Sequence, residues 1–181
     1  VNAAPSISRK DAGMQTDYSG VLAALAREEE ELQFTAFSHG DALALGLKLV
    51  ARARETGKAV TVDISRNGQQ LFHHAMAGTT PDNANWVRRK NNVVQRYGRS
   101  SWHVGTQYRS KGKTFEADSG ADPADFAAHG GAFPLILRGT GVIGAVTVSG
   151  LPQQEDHELV TSVLRAYLAE MAGAVREQGR P

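Results

Sequence analysis

His129 stands directly before Gly130 and Gly131, and the three lead into the strand-like run from Ala132 to Leu137. A neutral imidazole can ligate iron or carry a proton. Two residues without side chains let a ligand or another chain come close to the backbone. The same three residues would serve equally as an entry into the strand, with His129 hydrogen-bonded locally. A second group comes from the stretch between Asp82 and Lys113, which carries eight basic side chains: Arg88, Arg89, Lys90, Arg96, Arg99, Arg109, Lys111 and Lys113. Such a cluster suits phosphate, carboxylate or RNA, or else forms an exposed helix face that pairs with acids of a neighbouring subunit. Lys90 departs from the exposed-face reading. On a helix it lies four residues after Trp86, three after Val87, three before Val93 and four before Val94, in the middle of the apolar stripe. A buried ammonium is costly unless paired, so Lys90 should meet a carboxylate, carbonyl groups or a bound anion, unless its stem carries the charge to the rim. Ser100, Ser101, Trp102 and His103 follow; they suit a pocket lining, or a helix cap and turn.

Stronger catalytic signatures are missing. There is no nucleophile elbow, no Walker loop and no His-Glu-x-x-His metal motif. Gly139-x-Gly141 sits in a hairpin, not at a strand-to-helix turn, and is no dinucleotide fingerprint. With no cysteine, thiolate metal sites, disulfides and a Cys nucleophile are excluded. Asp156 and Glu158 begin the last helix, where acids suit the positive end of the dipole.

The elements that must position these side chains follow from periodicity. A helical pattern starts at Asp17 with Val21, Leu22 and Leu25 and runs into Glu28 to Glu31, read as a solvated acidic face. Leu32 to Phe37 reads as a short edge strand. Ser38 and Asp41 form a capping pair for a helix with Leu43, Leu47 and Val50 at helical spacing, stopped at Gly57. Asn67-Gly68 between Ala59–Ser65 and Gln69–Met76 is a hairpin signal, because both residues tolerate positive φ. That turn predicts Ile64 opposite Leu71 and Val62 opposite His73, with His73 on the apolar face and His74 beside Asp63. Pro81-Asp82-Asn83 opens the next helix. A second hairpin turns at Gly139-Thr140, and a last helix lines Leu159, Val160, Val163, Leu164, Tyr167, Leu168 and Met171 on one face. Hairpins in place of βαβ crossovers predict a mainly antiparallel sheet with helices packed on it, a single α/β sandwich.

The chain has 181 residues, 41% hydrophobic and 22% charged, enough for one well-cored domain. We expect a disordered or extraneous extension over residues 1–16, with Met14 a candidate natural start, one domain over 17–175 and a tail over 176–181. A net charge of +1 gives no drive toward nucleic acid or anionic membranes, and no run reaches the ~20 apolar residues of a span. A cytoplasmic location is the expectation.

Several stretches together resemble a known family. Gly-Gly-x-x-Pro-Leu-Ile from Gly130, Val-Ile-Gly-Ala-Val-Thr-Val-Ser-Gly from Val142 and the Glu-Asp-His-Glu helix start resemble the heme-degrading-domain superfamily. Asp63-Ile64, Gln70-Leu71-Phe72, Pro81-Asp82-Asn83, Trp86, Arg89-Lys90 and Ala128 to Gly131 resemble its branch called uncharacterised protein family 0303. The resemblance spans residues 34–172. It implies a profilin-like α/β sandwich with a five-stranded, mainly antiparallel sheet, assembled as a homodimer or higher oligomer, and heme binding or breakdown. Carried onto this chain, it places a ligand site at Trp86, Arg89, Lys90, Ser100, Ser101, His129, Gly130 and Gly131. Three functions are open, in this order: a protein that binds heme or another small anion, an oligomeric interaction scaffold without catalysis, and an enzyme acting on a tetrapyrrole or small anionic substrate.

Overall fold

The computed structural model describes residues 17–178, with side chains up to residue 174. The expected extension before residue 17 and the end of the expected tail lie outside the described residues. Asp17 caps the first helix by accepting from the Gly20 N–H, and α1 runs Tyr18–Glu31. The capping box predicted at Ser38 and Asp41 opens α2, His39–Glu55. The hairpin β1 (Thr61–Arg66) and β2 (Gln69–Ala75) leads to α3, Pro81–Tyr97. Two shorter helices follow, α4 (Ser101–Ser110) and α5 (Phe115–Asp118). A second hairpin, β3 (Ala132–Leu137) and β4 (Gly141–Ser149), precedes the long α6, Gln153–Gln178.

The two hairpins join through β1 and β4 into one antiparallel sheet of order β2-β1-β4-β3. On one face Val62, Ile64, Phe133, Leu135, Val146 and Val148 pack against α2 and α6 and form the main core. The opposite face carries Thr61, Asp63, Thr147 and Ser149, all buried under α3, with Val94, Ala132 and Ala145 as its small apolar centre. Alternation along each strand therefore separates a dry face from a polar one.

Among the described residues four strands form the sheet, where five are expected. The segment expected as an edge strand makes a single parallel bridge, Phe34 to Leu137. The chain leaves the sheet there because Phe34 and Phe37 both turn into the core, their rings 4.9 Å apart, and Ser38 starts α2 at once. The register of the first hairpin also differs from the expectation. Asn67 (φ 50°) and Gly68 (φ 81°) do form the turn, but the pairing shifts between Ile64 and Ser65. With Leu71 as the extra residue, Ile64 faces Phe72, Val62 faces His74, and His73 lands opposite Asp63. On α2 the buried positions are Ala42, Leu45, Gly46, Leu49, Val50 and Ala53, while Leu43 and Leu47 are more than half exposed. The small residues let the helix approach the sheet, and Phe72 occupies the space a side chain at position 46 would need.

Candidate functional site

Helix α3 carries one wall of the site. Pro81 fits its first turn, the Thr80 N–H donates to Asn83 Oδ1, and Gly98 ends it in the left-handed region. Its buried side chains are Val87, Lys90, Asn91, Val93 and Val94, so Lys90 lies where the apolar stripe predicts and is only 3% exposed. The ammonium donates to Asp156 Oδ2 at 2.8 Å and to the Val148 carbonyl at 3.1 Å. Asp156, in the first turn of α6, is equally buried, and its other oxygen accepts from the Leu151 N–H. Burial pushes the Lys90 ammonium below its ordinary range despite the attraction of Asp156. Burial likewise pushes the Asp156 carboxyl up. For both partners the lost hydration outweighs the mutual attraction, the usual balance for a buried pair.

The His-Gly-Gly turn packs against this pair. A side chain at Gly130 would collide with the Gln153 carbonyl, and one at Gly131 would lie 2.7 Å from Lys90 Nζ and against the Val148 carbonyl. Gly131 also has φ 124°, a region closed to residues with a Cβ. Both glycines are thus required by the approach of β3 to α6 and Lys90. His129 is the partly exposed residue of the turn. Its side chain is 40% exposed, its Nε2 is 3.2 Å from Glu116 Oε1, and its ring sits edge-on to Trp86 at 5.2 Å. Trp86 is held in turn by its Nε1–H donated to Asp82 and by the Arg89 guanidinium stacked 4.3 Å from its centroid.

These pieces border one cleft of about 510 Å³, lined by Asn83, Trp86, Lys90, His129, Asp156 and the residues from Ser149 to Gln153 that lead from β4 into α6. Its size lies within the usual span of small-molecule sites, roughly 300–1,000 Å³. Three of the residues singled out from the sequence, Trp86, Lys90 and His129, meet there. Gly130 and Gly131 lie behind its floor. Arg89 lies outside, its Nε–H donated to the Pro123 carbonyl. Ser100 and Ser101 belong to another part of the molecule. Ser100 caps α4 by accepting from the His103 N–H, and Ser101 exchanges hydrogen bonds with the backbone of Ala132.

Two acids escaped the sequence reading. Sequence alone gives Asp156 only to the helix dipole, and Glu29 to a solvated face. Glu29 is 4% exposed and accepts from Arg99, from the Ser100 N–H and from His103 Nδ1. Its neighbour Glu28 pairs with buried His157. The signal for both was present: Asp156 shares the stripe of Leu159, Val160 and Val163, and Glu29 that of Leu22, Leu25 and Leu32. Chemically, the cleft offers one partly exposed imidazole oriented by a carboxylate, an aromatic wall, a buried amine with two of its three donors used, and the amide-rich start of a helix. Among the described residues no three His, Asp or Glu side chains gather as a metal site, and no helix is long and apolar enough to cross a membrane.

Comparison with known proteins gives the lineage. A family model described as "Haem degrading protein HbpS-like" matches residues 37–165. A UPF0303 protein of Streptomyces coelicolor is 52% identical over 149 residues, covering 82% of this chain and 94% of the relative. The crystal structure of Ybr137w protein matches with a TM-score of 0.76 and 34% identity, over 83% of this chain and 89% of that one. The crystal structure of a PduOC:heme complex matches with a TM-score of 0.61 and 18% identity, over 72% of this chain and 94% of that one. At that identity the second structure speaks for the fold alone. The chain belongs to the HbpS-like family, among the UPF0303 proteins.

Proposed function

We propose that this protein binds a small anionic ligand, heme being the first candidate, in the cleft between α3, the His129 turn and the start of α6. The observation that carries the reading is the meeting of Trp86, Lys90 and His129 at one cleft, although they come from separate segments. An aromatic wall takes the flat body of a ligand. The remaining donor of Lys90 and the positive end of α6 favour its carboxylates. The residues fit a heme in one further respect. With Nε2 of His129 engaged by Glu116, Nδ1 is the nitrogen left for iron, and a carboxylate on the other ring nitrogen is the usual arrangement at a ligating histidine. Iron held in a macrocycle needs no cluster of protein ligands. When bound, heme would supply redox and oxygen chemistry; Trp86, Lys90 and His129 would bind and orient it. Titration with hemin tests this: a saturable Soret shift is expected, and His129→Ala abolishes the shift. Absence of a saturable shift in the parent protein sinks the heme reading.

A second reading, self-association, is favoured by a different surface. Leu43 and Leu47 stand one turn apart on α2 and are 54% and 55% exposed, and β2 beside that helix is a sheet edge. Leu47→Lys would then lower the mass measured by light scattering; an unchanged mass places any assembly elsewhere.

A further inference from the structure

We propose that a second ligand site lies on the far side of the Ala128–Gly130 turn, where Arg109 binds the carboxylate of a small aromatic acid. Trp102, Thr106 and Arg109 occupy one face of α4 at i, i+4 and i+7, and with Tyr18 and Val21 of α1 and Gln154 of α6 they line a hollow of about 320 Å³. The guanidinium is fixed from three directions. It stacks on Trp102 at 4.5 Å from the ring centroid. Its Nη2 donates to Thr106 Oγ1 at 2.7 Å. Its Nη1 passes over Gly105, where a Cβ would stand only 3.0 Å away.

Such a group is prepared for a partner it does not have among the described residues. No carboxylate there forms an ion pair with Arg109; the acidic groups nearest in influence are the Tyr18 phenol, which lines the hollow, and Glu116, which is engaged by His129. Half-burial already pushes the guanidinium below its ordinary range. With one N–H given to Thr106, the guanidinium over the indole keeps other N–H groups free, and two parallel N–H groups match a carboxylate in the same plane. A ligand held there extends its body beside Val21 and the ring of Tyr18. A planar acid meets both demands. The proposal is independent of the cleft, which is lined by other side chains.

Benzoate is a suitable probe, with benzamide as its uncharged counterpart. In the full-length Trp86→Phe chain, Trp102 is the one remaining tryptophan, and its fluorescence reports the hollow. Benzoate should change that emission saturably with one site per chain, and benzamide should not. Arg109→Lys keeps the charge and loses the fork, and should weaken benzoate by about tenfold or more. Thr106→Val frees the guanidinium to rotate and should weaken it by a few fold, on the order of one lost hydrogen bond. This second variant decides the matter if Arg109→Lys fails to fold. The cleft variant Lys90→Met with Asp156→Leu should leave the affinity unchanged, because neither residue lines the hollow. A linear, unsaturable response, equal affinity for benzamide, or insensitivity to both Arg109→Lys and Thr106→Val overturns the site. Loss of the response in that cleft variant places benzoate in the cleft and overturns the site as well.

Discussion

Two buried charged clusters lie along α3, one at its middle and one just beyond its C-terminal end, and they are solved differently. At the α3–α4 joint Glu29 receives three donors, from Arg99, the Ser100 backbone and His103. Those bonds hold its carboxyl below the ordinary range even though burial works in the other direction. At the cleft, Lys90 and Asp156 have mainly each other, and burial drives both toward their neutral forms. A carboxylate held by three donors serves as a pin that fastens α1 to the body of the domain. A pair with spare capacity, open to a cleft, costs stability that the fold alone does not require. The contrast supports a structural role for the first cluster and, under the proposed function, a binding role for the second.

Breaking the second pair by half gives the largest effect. Asp156→Asn leaves the amine buried without its counter-charge, and should lower the unfolding free energy in urea by about 3–5 kcal/mol. Replacing both members, Lys90→Met with Asp156→Leu, should restore stability to within about 1 kcal/mol of the parent. A double variant as unstable as the single one would show that the pair is a structural pin after all. Next comes Glu29→Gln, expected to cost about 2 kcal/mol because one donor after another loses a charged acceptor. The pH dependence should follow the same residue. Since folding lowers the Glu29 pKa from 4.5, its stabilisation is complete above that value and fades as pH falls below it toward the folded value. Glu29→Gln should therefore flatten the acid limb of a stability–pH curve, and an unchanged limb would contradict its role. The smallest effect belongs to His129→Ala, within about 0.5 kcal/mol, as expected for a partly exposed side chain with one ionic contact.

Much of the architecture was readable in advance because it depends on local chemistry. The capping pair at Ser38 and Asp41, the Asn67-Gly68 turn and the stripe of α6 each specify their element within a few residues. Lys90 announced a buried partner by its position alone. The partner was misread because Asp156 also suited a helix start, and one sufficient explanation concealed another. The register slip at Ile64 and Ser65 has no marker in a two-residue turn, since a bulge is decided by what packs across the strands. Phe34 read as strand from its type, yet its ring was needed in the core beside Phe37. Ser100 and Ser101 suited a pocket by chemistry and were placed by packing at a joint. Convergence of Trp86, Lys90 and His129 depends on how α3, the turn after Ala128 and α6 stack, which periodicity along a chain does not encode.

The decisive measurement is the hemin dissociation constant of the Lys90→Met, Asp156→Leu chain beside the parent, each verified as folded by urea unfolding. The double variant preserves the fold and removes the polar floor of the cleft, so an affinity at least about tenfold weaker is expected, the loss of one charge-assisted contact. An unchanged constant at unchanged stability would contradict the assignment of binding to this pair.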